Sequence, residues 1–303
     1  MTKRLTSLVG LVLLPALTFA ELHVVVVEGL PGDQVYAEQF DRQVTAISLA
    51  LRSVTEREHV RVFRTDEVSR DALLGHLRSL QSEVRSSDQF ALFLIGHGSY
   101  DDVEYKFNIP GPDLTGEDIA ASLDELPTTD QVVINTSSSS GAIANLVAND
   151  DRIVVLATRS GAERHATRFG DYFAIALGDP SADVDKNERI SVEEAFRFAE
   201  RQVNDYFERN DQLATEHATL TGERAERMAL ARLGGAQPNV VDTALGELIA
   251  DRDALNAEIN TLRLGRDDMP QAEYQSALLE KMLKLARVED AIEARQEELG
   301  ANE

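Results

Sequence analysis

From residue 21 to about residue 160, short apolar runs alternate with helical periodicities. Leu22 to Val27 is a near-continuous apolar run, the pattern of a strand buried on both faces. His59 to Phe63 alternates more cleanly, and Phe90–Ile95, Val132–Ile134 and Ile153–Leu156 are further strands. Helical spacing of apolar residues fills the gaps, over Tyr36–Val54, Arg70–Arg85 and Thr115–Leu123. Repeated strand–helix–strand units predict an α/β fold: a three-layer α/β/α sandwich around a mostly parallel sheet. Sites in such sheets gather at the carboxyl ends of the strands. Val103–Pro110 breaks the rhythm. It alternates like a hairpin arm and is expected to be an excursion beside that edge.

After Leu156 the pattern predicts no further strands. Phe169–Leu177 and Val192–Phe207 read as two helices flanking an acidic loop. Val241, Leu245, Leu248, Leu255, Ile259 and Leu262 then make one stripe. Tyr274, Leu278, Leu285, Val288, Ile292 and Leu299 make another, after a turn at Gly265–Pro270. Two such stripes predict a helical, coiled-coil-like hairpin, interrupted by polar Arg252, Lys281 and Arg295. Periodicity allows the hairpin either to pack on the domain or to serve as an arm that docks a partner.

Composition narrows the setting. Lys3 and Arg4 precede a mostly apolar run, Leu5 to Leu17, and Thr18-Phe19-Ala20 offers a small-residue cleavage site. The run is shorter than the roughly 20 residues of a spanning helix. A cleaved signal is therefore expected over 1–20, with a periplasmic or secreted location. The α/β domain then spans 21–221 and the helical region 222–303. No later stretch reads as a membrane span. The chain has no cysteine, which excludes disulfides, thiolate metal sites and a cysteine nucleophile. Its formal net charge of −23 repels phosphate backbones, so no nucleic-acid partner is expected.

Two turns carry candidate chemistry. Ile95-Gly96-His97-Gly98-Ser99 ends one strand, placing a histidine able to act as general base or acid between two glycines. Read plainly, it is a tight turn with an incidental histidine. Asn135-Thr136-Ser137-Ser138-Ser139-Ser140-Gly141 ends the next strand and leads into a helix. Small hydroxyl residues there expose backbone N–H groups that favour an oxyanion, although serine is also a common helix cap.

A strand ending in His-Gly, followed by one ending in small-x-Ser-Gly, resembles the caspase/legumain superfamily of cysteine peptidases, and is most similar to the bacterial legumain-like branch. The resemblance covers about residues 22–220. It implies a catalytic histidine at His97 and a nucleophile position at Ser138. The backbone N–H groups of Gly98 and Ser138 are then the implied oxyanion hole. Arg159, Ser160 and Glu163, after the fifth strand, fall where the family lines its substrate pocket. Here the family's cysteine is replaced by serine. Serine is a weak nucleophile until a base holds its proton, and the family does not rely on a tight nucleophile–histidine bond. The resemblance thus implies a pseudopeptidase that binds protein or peptide. The alternative is an active hydrolase using Ser138 and His97.

Ser137-x-Ser139-x-Gly141 also satisfies a nucleophile elbow of α/β-hydrolase type, with Asp183 and His217 completing the order serine, acid, histidine. That reading lacks the later strands needed to position those groups. The acidic loop is the last motif. Asp183, Asp185, Asn187, Arg189, Ser191 and Glu194 fall at the spacing of an EF-hand calcium loop, with Glu188 at the position normally held by glycine. The plain alternative is a solvated loop in which Ser191 and Glu194 cap the next helix. Calcium bound there suggests a further reading, a stabilised scaffold whose helical hairpin binds the partner.

Overall fold

A computed structural model describes residues 20–233 and 270–300, together with positions 248, 255 and 262. The chain runs β1 (Leu22–Glu28), α1 (Gln34–Leu51), β2 (Val60–Phe63), α2 (Arg70–Glu83) and β3 (Gln89–Ile95). A small antiparallel excursion follows: β4 (Gly98–Tyr100), β5 (Tyr105–Phe107) and β6 (Leu114–Thr115). Then come α3 (Gly116–Asp124), β7 (Asp130–Asn135), α4 (Ala144–Val147), β8 (Arg152–Leu156) and α5 (Phe169–Ala176). β9 (Arg189–Ser191), α6 (Val192–Arg209), β10 (Thr219–Thr221), β11 (Ala229–Arg232) and α7 (Gln271–Gly300) complete the order.

The main sheet has six strands in the order β10-β8-β7-β3-β1-β2. All its pairings are parallel except that of β10 with β8. Alternate side chains of each strand serve opposite faces. Val24, Val26, Phe93, Ile134 and Val155 pack with Phe40, Val44, Phe169, Phe173 and Phe196 of α1, α5 and α6. Val25, Val27, Leu92, Val133 and Val154 pack with Leu73, Leu77, Ile119 and Leu123 of α2 and α3. Both faces are dry because both are covered by helices, which is why the central strands read as unbroken apolar runs. Each fully buried valine or leucine contributes on the order of 1.5–3 kcal/mol.

Helix starts follow local capping chemistry. Asp33 accepts from the Tyr36 N–H and Ser69 from the Ala72 N–H. Thr115 with Asp118, and Ser191 with Glu194, form complete capping boxes at α3 and α6. The expected strands and helices of residues 21–160 are all present, and Val103–Pro110 does supply one arm, β5, of an excursion.

After Leu156 the expectation of no further strands is overturned. β10 adds antiparallel to β8, and β11 pairs antiparallel with β9. These strands are three or four residues long and mix polar with apolar positions, too short for a periodicity to show. β11 lies beyond residue 221, in the region the sequence assigns to the helical part, and its Leu230 and Ala231 join the core beneath α1.

The second arm of the expected hairpin is helix α7, in which Tyr274, Leu278, Leu285, Val288 and Ile292 are less exposed than Leu279, Met282 and Leu283. The first arm lies outside the described residues apart from Leu248, Leu255 and Leu262, and so does the expected signal over 1–19. Among the described residues, no helix is long and apolar enough to cross a membrane.

Candidate functional site

The sheet order reverses at β1 and β3: the chain leaves β1 for α1 over one face and leaves β3 for the excursion and α3 over the other. Crevices for ligands form at such a switch point, outside the carboxyl ends of the strands. His97, directly after β3, stands there. A cleft beside it is lined by Tyr36, Gln39, Gln43, Thr136 and Thr167.

Close backbone packing builds this edge. A Cβ at Gly98 would meet the Ser138 carbonyl oxygen at 2.4 Å, and one at Gly141 would meet the Ser160 nitrogen at 2.1 Å. Only glycine permits these approaches. They draw the His-Gly turn, the serine turn and the loop after β8 into contact, so the structure brings His97, Gly98, Ser138 and the 159–163 segment to one edge.

The hydrogen bonds at that edge are not those of a nucleophile and its base. Ser138 is buried, and its hydroxyl donates to the Gly98 carbonyl at 2.9 Å while accepting the Gly98 N–H at 3.4 Å. The His97 Nε2 lies 3.2 Å from the Pro31 carbonyl. A carbonyl only accepts, so Nε2 carries the proton and Nδ1 keeps the lone pair. The ring packs edge-on against Tyr36 and Phe40, with centroids 4.5 and 5.1 Å away. Burial lowers the His97 pKa, against the bond to Pro31, and keeps the imidazole neutral near pH 7.

Ser137 and Ser140 are equally committed. Ser137 bonds the Tyr105 hydroxyl at 2.6 Å and donates to Asn135 Oδ1 at 2.8 Å; the Asn135 amide donates to the same tyrosine at 2.9 Å. Burial pushes the Tyr105 phenol up to about 12, so it stays protonated. Ser140 bonds Thr158, whose hydroxyl also accepts the Gly141 N–H. Ser139 differs. It is fully buried at φ 57°, in the left-handed region, and its hydroxyl has no partner.

Of the expected substrate-pocket residues, Arg159 is largely exposed, whereas Glu163 is a structural hub. Its carboxylate accepts the Arg159 N–H and both the backbone and the Nδ1 of His217, and its carbonyl accepts the Ser139 N–H. Ser160 lends its carbonyl to Thr158. The alternative set of Ser139, Asp183 and His217 is not assembled, because His217 is held by Glu163 and Asp183 accepts from the Asn187 and Glu188 backbones. Tyr105 and Glu216 are not legible from sequence as site-edge residues, since each acts through contacts distant in sequence. Glu216 accepts the Arg168 and Phe169 N–H groups at the start of α5.

The acidic loop does converge. One ligand atom from each of Asp183, Asp185 and Glu194 lies within 4.8 Å of the other two. Glu188 takes φ 62°, the left-handed conformation usually left to glycine, and Ile190 of β9 pairs with Ala231 of β11. Asn187 Oδ1 accepts the Arg189 N–H, and Glu194 Oε2 accepts from the Ser191 N–H and hydroxyl.

No family model and no curated protein matches the chain. Among solved structures it is similar to a protein from Geobacter sulfurreducens, at 8% identity and a TM-score of 0.48, covering 70% of this chain and 99% of that one. It is also similar to the Drosophila initiator caspase Dronc, at 15% identity and a TM-score of 0.40, covering 71% and 82%. The likeness is of fold alone, a mixed α/β architecture around a mostly parallel sheet.

Proposed function

We propose that the chain is an exported domain of caspase/legumain-like architecture that has lost peptidase activity and works by binding a peptide or protein segment in the crevice beside His97. One observation carries the reading: the Ser138 hydroxyl is closed onto both backbone groups of Gly98. Serine attacks a carbonyl only when a base takes its proton, and here the proton is directed at a carbonyl oxygen. The Gly98 N–H, the donor expected for an oxyanion, faces the same hydroxyl. His97 is anchored to Pro31 instead. The crevice, lined by Gln39, Gln43, Thr136 and Thr167 beside aromatic Tyr36, is narrow here, and the Gln39 and Gln43 amides donate to Asp171, so a ligand would have to widen it.

The test is a serine-directed fluorophosphonate probe together with a peptide-substrate panel. Neither labelling nor turnover is expected for the native chain. Labelling that disappears in Ser138→Ala, with turnover lost in both Ser138→Ala and His97→Ala, would establish the active hydrolase instead.

A second reading is favoured by the convergence of the acidic loop. Asp183, Asp185, Asn187, the Arg189 carbonyl, Ser191 and Glu194 supply oxygen donors at EF-hand spacing, and Glu188 already holds the turn that the loop needs. Calcium bound there would tie α6 to the loop after α5. Calcium is expected to raise the melting temperature reversibly, with chelator restoring the lower value, and Glu194→Gln to remove the response. A melting temperature indifferent to calcium excludes the site.

A further inference from the structure

The amino ends of the strands, opposite the crevice, hold a separate cluster. His23 is the second residue of β1, His59 ends the short helical turn Arg57–His59 before β2, Glu21 precedes β1 and Asp88 precedes β3. The two imidazoles are 4.6 Å apart between centroids. His23 is only 7% exposed, and its buried Nε2 has no hydrogen-bond partner; the buried Nδ1 of His59 has none either. An unpaired buried ring nitrogen is costly, and two imidazoles this close, each with one, beside a carboxylate point to a missing ligand.

One ligand atom from each of Glu21, His23 and His59 lies within 4.8 Å of the other two. We propose that His23, His59 and Glu21 form a binding site for a divalent transition metal, with zinc the best match. Two imidazoles and one carboxylate are a borderline-soft donor set that suits zinc and not calcium. Bonds of about 2.0–2.2 Å require the donor atoms to close by roughly an ångström. Glu21, about half exposed, and the partly exposed His59 have the freedom to do so, while His23 is fixed by the core.

The surrounding groups act as outer partners. Arg85 holds Glu21 Oε2 at 3.1 Å. Asp88, fully buried, accepts the Arg85 and Glu21 backbone N–H groups and places Oδ2 3.7 Å from His23 Nε2, where it orients that ring. A metal here would fasten the segment before β1 to the start of β2, at the edge remote from His97. Its role is therefore structural and independent of the reading proposed for the crevice.

The test is calorimetric titration of zinc into the chelator-treated chain, purified without a polyhistidine tag and with excess calcium present to occupy the acidic loop. One equivalent is expected to bind. His59→Gln should abolish binding, Glu21→Gln should weaken it by about tenfold or more, and Glu194→Gln should leave it unchanged. Cobalt(II) substituted for zinc should give the visible bands of four-coordinate nitrogen–oxygen ligation, lost in His59→Gln. His59 and Glu21 are chosen because both are partly exposed, so their variants should keep the native circular dichroism. Failure of the folded native chain to bind zinc, or unchanged binding in folded His59→Gln, overturns the proposal.

Discussion

Ser139 shows how much a single residue gives up at this edge. A non-glycine residue in the left-handed region costs on the order of 1 kcal/mol, and a buried hydroxyl without a partner adds a desolvation penalty. Ser139 carries both burdens at the centre of the serine turn. Glycine in its place would remove them and return part of the gain through its greater freedom when unfolded. Ser139→Gly is expected to raise stability by about 1 kcal/mol in chemical denaturation. Its neighbours make the opposite case: Ser137, Ser138 and Ser140 each have a hydrogen-bond partner drawn from a different segment. From sequence, the family resemblance points to Ser138 and the elbow spacing to Ser139, but neither tells which hydroxyls are already bonded. What separates them is the direction in which each side chain leaves the turn, and local pattern does not encode that direction. His97 and Ser138 were nevertheless placed at adjacent strand ends, because the apolar runs that precede them locate β3 and β7 without ambiguity.

At the scale of elements, the long parallel strands were legible and the short antiparallel ones were not. β1, β3, β7 and β8 are buried on both faces, and burial on both faces leaves an unbroken apolar run. β10 is Thr-Leu-Thr, partly exposed, and is held as much by the segment leading into it as by its own ladder. In that segment His217 joins Glu163, and Glu216 caps α5. Glu216 is only 2% exposed. Burial pushes its carboxyl up to about 7, against the N–H groups of Arg168 and Phe169, with nearby Glu163 adding to the rise. A folded pKa above the unfolded value means that the native state holds the proton more tightly. The resulting stability is complete below about pH 4.5 and is lost as pH rises through about 7. Melting temperature should therefore fall between these limits by an amount that Glu216→Gln diminishes. A fall of the same size in the variant would assign the dependence to other groups.

For the molecule as a whole, two opposite ends of one sheet carry different chemistry. The carboxyl ends hold the crevice, with its committed serine and neutral histidine, and the amino ends hold the histidine pair. The formal charge of −23 surrounds both, so cations are favoured at either end and anionic polymers at neither. The strand lengths have one more consequence. The inner strands β1 and β3 run seven residues each, but the sheet tapers to β2 with four and β10 with three. Exposed edges invite a foreign strand in proportion to the unpaired backbone they display, and short edges are a recognised defence. This sheet is blunt on both sides. An extended segment meeting the domain finds only a few main-chain groups to zip against there, so the binding proposed above relies on side chains rather than on lengthening the sheet.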